Sequence, residues 1–294
     1  MSPKVAPMFD EVSRFASAAD GLSLQAYAMR PRGIACGIVV IAHGAAEHAL
    51  RYARFARALA DAGYAVAALD HRGHGASCGP EGLGDFGAGG WDALVADIGQ
   101  CVARAREAHP GLPLALFAHS MGSFAAQQYC AGGAAGLDAL VLSGSTAFEA
   151  LRPGEPRGEW RPNAAFEPAR TPYDWLSRDA AEVDKYIADP LCGFEGFGER
   201  RRNTRPPQLL ELSNPARLRS TPAGLPVLLV AGDADPLNRK LEGLRLLERR
   251  LRDAGVARVD TRYYAGGRHE MLNEINRDEV TRDVIGWLDG VIAR

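Results

Sequence analysis

The chain is 294 residues long and 47% hydrophobic, enough for one large core carrying an insertion and far from the composition of a disordered polymer. Its formal net charge of −2 gives no general attraction to nucleic acid, so a phosphate-backbone binder is not expected. The five cysteines are widely spaced and include no C-x-x-C pair, which argues against a disulfide framework or a zinc knuckle and for a reducing, cytoplasmic setting. Met1 to Asp10 lacks the apolar core of a secretion signal, and no apolar run approaches the ~18 residues of a membrane span.

In chain order, Val12 to Ala18 and Leu22 to Arg30 alternate polar and apolar residues on either side of Asp20-Gly21, the pattern of an antiparallel hairpin at a sheet edge. Apolar runs then follow at Gly37 to Ala42, Tyr64 to Leu69, Leu114 to Phe117, Leu137 to Leu142, Leu225 to Val230 and Val259 to Tyr264. Between and after them lie helix-like stretches at Tyr52 to Ala62, Trp91 to Ala108, Ser123 to Ala131, Leu241 to Leu251 and Leu272 to Ile292. Continuous apolar strands need cover on both faces, and the intervening amphipathic helices supply it. The expectation is an α/β fold: a mostly parallel sheet with helices on both sides.

Residues 148–223 interrupt this alternation with Pro, Arg and aromatic side chains, and a connection of that length between core strands is usually functional. We expect residues 1–147 and 224–294 to form the core and 148–223 a cap over the strand ends, with a helical piece from Trp175 to Ile187. Its Trp160, Trp175, Phe194 and Phe197 need something to bury against.

The chemistry concentrates at Ala118-His119-Ser120-Met121-Gly122, where an apolar strand feeds directly into a helix-like stretch. A sharp strand-to-helix reversal with small neighbours presents its turn residue, here Ser120, as a nucleophile, although a serine at this point could also be an ordinary helix cap. Chain order narrows the partners, because triads on such folds run serine, acid, histidine. Of the seven histidines only His269 follows Ser120, in a glycine turn after the Val259 to Tyr264 strand. The acid is expected in Gly232-Asp233-Ala234-Asp235-Pro236, with Asp235 favoured over Asp233 because the following proline holds it extended. His43, Glu47 and His48 fit no H-E-x-x-H spacing, so no metal is expected there. Asp70, His71, Arg72 and His74 sit on a glycine-rich turn and read as structural support.

The segments His43-Gly44-Ala45-Ala46-Glu47-His48 with Arg51-Tyr52, Asp70-His71-Arg72-Gly73-His74-Gly75, His119-Ser120-Met121-Gly122, Gly232-Asp233-Ala234-Asp235 and His269-Glu270 together resemble the α/β-hydrolases of the monoacylglycerol lipase and lysophospholipase group, relatives of serine aminopeptidase-type hydrolases. That resemblance spans nearly the whole chain. It implies the α/β-hydrolase fold, a Ser120, Asp235, His269 triad, cleavage of monoacyl lipid esters through an acyl-enzyme, and no cofactor. An elbow of this kind offers the Met121 N–H as one oxyanion donor, and the loop after Gly37 to Ala42 offers the Ala45 N–H as the second. Trp175, Leu191, Phe194 and Phe197 are candidate walls of an acyl pocket. The expected partner is a small acyl ester, with Arg200 to Arg202 a weaker candidate for peripheral contact with lipid aggregates. Competing readings are an aminopeptidase whose cap carboxylates, Glu149, Glu167 or Glu182, hold a substrate amine; transfer of the acyl group to an alcohol; and a ligand receptor without turnover.

Overall fold

The computed structural model describes residues 8–151, 161–194, 211–212 and 214–292. The hairpin consists of β1 (Glu11–Ala16) and β2 (Ser23–Met29). It is followed by β3 (Gly37–Ala42), β4 (Tyr64–Leu69), β5 (Leu114–His119), β6 (Ala139–Ser143), β7 (Val227–Gly232) and β8 (Val259–Tyr264). Among the described residues these form one eight-stranded sheet in the order β1-β2-β4-β3-β5-β6-β7-β8. The hairpin strand β2 runs antiparallel to β4, while β4 and β3 through β8 are mutually parallel. The helices are α1 (Ala53–Asp61), α2 (Gly90–Ala108), α3 (Met121–Ala131), α4 (Ala180–Ala188), α5 (Pro215–Leu218), α6 (Glu242–Asp253) and α7 (Arg277–Val291).

The strands read as uninterrupted apolar runs because each residue faces one of two cores. On β3, Ile38, Val40 and Ala42 join Leu94, Ile98, Phe124 and Leu244 from α2, α3 and α6. Val39 and Ile41 point the other way, to Phe55 and Leu59 of α1 and Val284 and Leu288 of α7. The two-residue period of the strand divides one sequence between two layers, and each large side chain fully buried there contributes about 1.5–3 kcal/mol.

Two expectations shift in detail. Strand β5 continues past Phe117 to His119, because Ala118 and His119 still pair with Leu142 and Ser143 of β6. The piece from Trp175 to Ile187 is not one helix: a 3-10 turn over Asp174–Leu176 stops at the extended Ser177, and Asp179 then caps α4 by accepting from the Ala181 N–H. This strap has a small apolar cluster of its own, Leu176, Tyr186 and Cys192 with Tyr173 and Trp175 against it. Ion pairs Arg178–Glu274, Arg277–Asp179 and Arg54–Glu182 tie it to the core.

The polar turn after β4 is structural, as expected. Fully buried Arg72 donates from Nε to Asp97 at 2.8 Å and from Nη1 to Asp20 at 2.8 Å and to the Phe86 carbonyl at 2.9 Å. Asp70 accepts from Tyr27 Oη and from the Ala49 and Ala76 N–H groups. Parallel strands β3, β5, β6, β7 and β8 all end at the same edge, where their loops form the crevice that such sheets use for ligands. Among the described residues no helix is long and apolar enough to cross a membrane.

Candidate active site

Ser120 is the single residue between β5 and α3, and it takes φ 50° and ψ −117° to reverse the chain. Such backbone costs about 1–3 kcal/mol for a residue with a side chain, so the surroundings must hold it. They do: the Ser120 N–H donates to the Ser143 carbonyl at 2.9 Å, and the Ser120 carbonyl accepts from the Ser123 N–H at 2.9 Å and from Ser123 Oγ at 2.6 Å. A Cβ at Gly122 would lie 2.5 Å from the His43 carbonyl oxygen, so only glycine lets α3 come this close to the end of β3. Ala118 stands where the usual elbow has its first glycine, and its methyl is absorbed in the core beside Ala42 and Leu142. The Ser120 side chain caps nothing. Its Oγ lies 2.9 Å from His269 Nε2 instead.

His269 and the acid are equally well placed. Asp235 is extended before Pro236, at φ −64° and ψ 118°. One of its oxygens, Oδ1, accepts from the Leu237 N–H at 2.8 Å, which leaves Oδ2 at 2.9 Å from His269 Nδ1. With Nδ1–H donated to Asp235, Nε2 is the acceptor facing the Ser120 hydroxyl. Asp235 thus both caps its turn and orients the imidazole. Asp233 does neither: its Oδ1 accepts from the Gly266 N–H at 2.7 Å and ties the two loops together. The segment between β6 and β7 also holds His269, through His269 N–H to the Trp175 carbonyl at 3.4 Å and Glu270 N–H to the Leu176 carbonyl at 2.8 Å. The imidazole lies between the rings of Trp175 and His119, at 4.9 and 4.8 Å.

The loop after β3 passes directly beside Ser120, since a Cβ at Gly44 would sit 3.1 Å from Ser120 Cβ. Glu47 Oε1 pins it by accepting from the Gly44 N–H at 2.6 Å and from Tyr52 Oη at 2.8 Å. The N–H groups of Ala45 and Met121 donate to no acceptor among the described residues. Both nitrogens of His43 are engaged, Nδ1–H with the Gly44 carbonyl at 2.7 Å and Nε2 with the His71 N–H at 2.9 Å, so it buttresses the loop and holds no metal. Among the described residues one set has the ligand types for a metal, His48, Asp189 and Cys192, with donor atoms within 4.8 Å of one another. There His48 Nε2–H donates to Asp189 Oδ2 at 2.8 Å, whereas two ligands on tetrahedral zinc stand about 3.4 Å apart. It is a hydrogen bond.

Behind His269 lies a buried ion network. Arg51 donates from Nη1 to Glu47 Oε2 at 2.6 Å and forks onto Glu270 at 2.7 and 2.6 Å. One guanidinium between two carboxylates leaves an excess of negative charge: burial raises the Glu47 carboxyl, while Arg51 overcomes burial to hold Glu270 low. Burial opposes the charged form of His269, but Asp235, with Glu270 and Glu47 behind it, prevails and holds the imidazole above its ordinary pKa. Burial and the neighbouring His269 push His119 the opposite way, to about 3.

The model of the family described as serine aminopeptidase, S33, matches residues 33–276, from before β3 to beyond His269. The chain belongs to the S33 hydrolase family. It is 34% identical over 262 residues to a monoacylglycerol lipase of Mycolicibacterium smegmatis, covering 86% of this chain and 88% of that one. To the human monoglyceride lipase it is 31% identical over 280 residues, covering 90% and 85%. Among solved structures it is similar to a thermostable carboxyl esterase from Bacillus coagulans bound to glycerol, with a TM-score of 0.83, 28% identity and coverage of 96% and 98%.

Within this S33 chain the expected pocket residues are only partly brought to the site. Trp175 lies against the His269 ring with centroids 4.9 Å apart, and Phe194 meets His74 edge-on at 5.6 Å. Leu191 is half-buried, its N–H donating to Asp189. Trp160, Phe197 and Arg200 to Arg202 lie outside the described residues. Sequence reasoning missed the roles of Arg51 and Glu270. The spacing of Glu47 and Arg51 on a turn hints at their pair, but nothing in the sequence joins Arg51 to Glu270, across 219 positions.

The raised His269 pKa has a testable sign, because a histidine acting as a base must be neutral and activity that depends on it is lost as pH falls through that value. The acid limb of kcat/KM for an ester should therefore lie above the ~6.5 of a free histidine, and Glu270→Gln should move it down. A limb at or below 6.5, or one unmoved by Glu270→Gln, would show that the buried carboxylates do not tune the base.

Proposed function

We propose that this S33 chain hydrolyses carboxylic esters of monoacyl lipids through an acyl-enzyme on Ser120. The observation that carries this reading is the unbroken relay of Ser120 Oγ, His269 and Asp235, with 2.9 Å at each junction. Ser120 attacks the acyl carbonyl while His269 Nε2 takes its proton, and the imidazolium then protonates the departing alcohol. Water, activated by the same nitrogen, releases the acid and frees Ser120. The negative oxygen formed in each tetrahedral intermediate is met by the N–H of Met121, at the start of α3, and by that of Ala45. Names of the similar proteins, monoacylglycerol lipase and carboxyl esterase, point to the same bond class. The five free cysteines suit a reducing, cytoplasmic compartment.

An aminopeptidase needs an unpaired carboxylate for the substrate's ammonium, and two of the three candidates are committed elsewhere. Glu149 is paired with Arg250, and Glu182 with Arg54 and Lys185, while Glu47 and Glu270 share Arg51. Glu167, without an ion pair among the described residues, is exposed and accepts from the Ala169 N–H.

The substrate class is tested with a soluble ester series. We assign Trp175, Leu191 and Phe194 to the acyl pocket, and each methylene buried there contributes ~0.8 kcal/mol, so kcat/KM should rise roughly fourfold per carbon until the pocket is full. Monoacyl esters should be cleaved and triacylglycerols poorly, since a cap admits one chain. A flat profile, together with fast anilide hydrolysis that is lost when the substrate amine is acetylated, would place the chain among the peptidases.

A further inference from the structure

The cap reaches the catalytic loop at a point that substrate gating does not require. Ala46 has φ 54°, a left-handed conformation that is costly for a residue with a Cβ. Its carbonyl oxygen accepts two hydrogen bonds, both from the segment between β6 and β7: Tyr186 Oη at 2.9 Å and the Gly193 N–H at 2.9 Å. Two residues on, His48 Nε2–H donates to Asp189 Oδ2 at 2.8 Å. The donor side is itself a built turn, with Asp189 Oδ1 accepting from the Leu191 N–H and its carbonyl from the Cys192 N–H. Tyr186 is buried, its ring 5.1 Å from Tyr173 and under the Arg51 guanidinium at 4.8 Å, so its hydroxyl has little freedom to leave Ala46.

Ala45 therefore lies between two fixed points. On its N-terminal side Glu47 Oε1 holds the Gly44 N–H at 2.6 Å. On its C-terminal side Tyr186 and Gly193 hold the Ala46 carbonyl. We propose that Tyr186 is a positioning residue for the oxyanion hole: through the Ala46 carbonyl it keeps the loop in its strained turn and so aims the Ala45 N–H at the reacting carbonyl oxygen. The cap then takes part in the chemical step as well as in substrate entry. This rests on the reading of Ala45 as an oxyanion donor and of Ser120 as the nucleophile.

The test is Tyr186→Phe in the full chain, which removes one hydroxyl and keeps the ring. With a soluble ester, kcat should fall about five- to tenfold, the effect of one lost hydrogen bond, with KM within about twofold. The discriminating readout is the rate ratio between that ester and its thionoester. Sulfur is a poor hydrogen-bond acceptor and draws little from the oxyanion donors, so a misaimed Ala45 N–H slows the oxygen ester more and the ratio falls. Equal losses on the two substrates, or a loss carried by KM, would overturn the proposal. If Tyr186→Phe does not fold, Asp189→Asn, which loosens the same turn at His48, is read in the same way: a fallen ratio supports the proposal and an unchanged one overturns it. Failure of the underlying reading looks different, because the unmodified protein would then hydrolyse ester without forming an adduct at Ser120.

Discussion

Replacing Ser120 by alanine is expected to lower ester turnover by up to ~10⁶-fold while the fold is retained. The size of the effect follows from the geometry. Ser120 Oγ is within 2.9 Å of His269 Nε2, so the two are expected to act as one unit, nucleophile with base, and removing either should remove covalent catalysis. His269→Ala should thus cost nearly as much as Ser120→Ala, and the double variant little more than either. The elbow itself should survive, because its backbone is held by Ser143, Ser123 and the close approach of Gly122 to the end of β3, none of which involves the hydroxyl. Turnover by the alanine variant within tenfold of the unmodified protein, with an unchanged circular dichroism spectrum, would remove Ser120 from the mechanism.

Asp235→Asn should lower turnover by ~10⁴-fold, and Asp233→Asn by no more than about twofold. The asparagine at 235 can still accept from the Leu237 N–H through its oxygen, so the turn persists. Its amide nitrogen, however, would present N–H to His269 Nδ1, favouring the tautomer protonated at Nε2, which cannot accept the proton of Ser120. Loss of the carboxylate should also shift the acid limb of the pH profile downward, since Asp235 is the leading group that opposes burial at His269. At position 233 an asparagine oxygen still serves the Gly266 N–H, and nothing there touches the imidazole. Steady-state kinetics on the two variants decides between the acids; equal losses, or the greater loss at 233, would reverse the assignment.

The alternation of apolar and amphipathic runs was sufficient to read the sheet, because short apolar runs bounded by turns and separated by amphipathic helices mark parallel strands covered on both faces. The cluster of Ser120, Asp235 and His269 was legible for a related reason. Each of the three lies just past a strand's end, so chain order and local turn chemistry single it out without tertiary information. Side chains that act across long separations left no such trace. Glu270 meets Arg51, and Tyr186 meets Ala46, only after the sheet and cap bring them together. The break at Ser177 was missed because Trp175 to Ile187 has helical composition, while the choice of Asp179 as a cap and the anchoring of Ser177 Oγ to the Asn273 carbonyl are tertiary facts.

Ser120, activated by His269 and Asp235, is expected to form the covalent intermediate. The most direct measurement is intact-mass and peptide mass spectrometry of the protein after reaction with an alkyl fluorophosphonate. The expected result is one adduct per chain, on the peptide containing Ser120, with loss of esterase activity in step with labelling and no adduct on Ser120→Ala. An adduct on another residue, or full esterase activity with Ser120 unmodified, would contradict it.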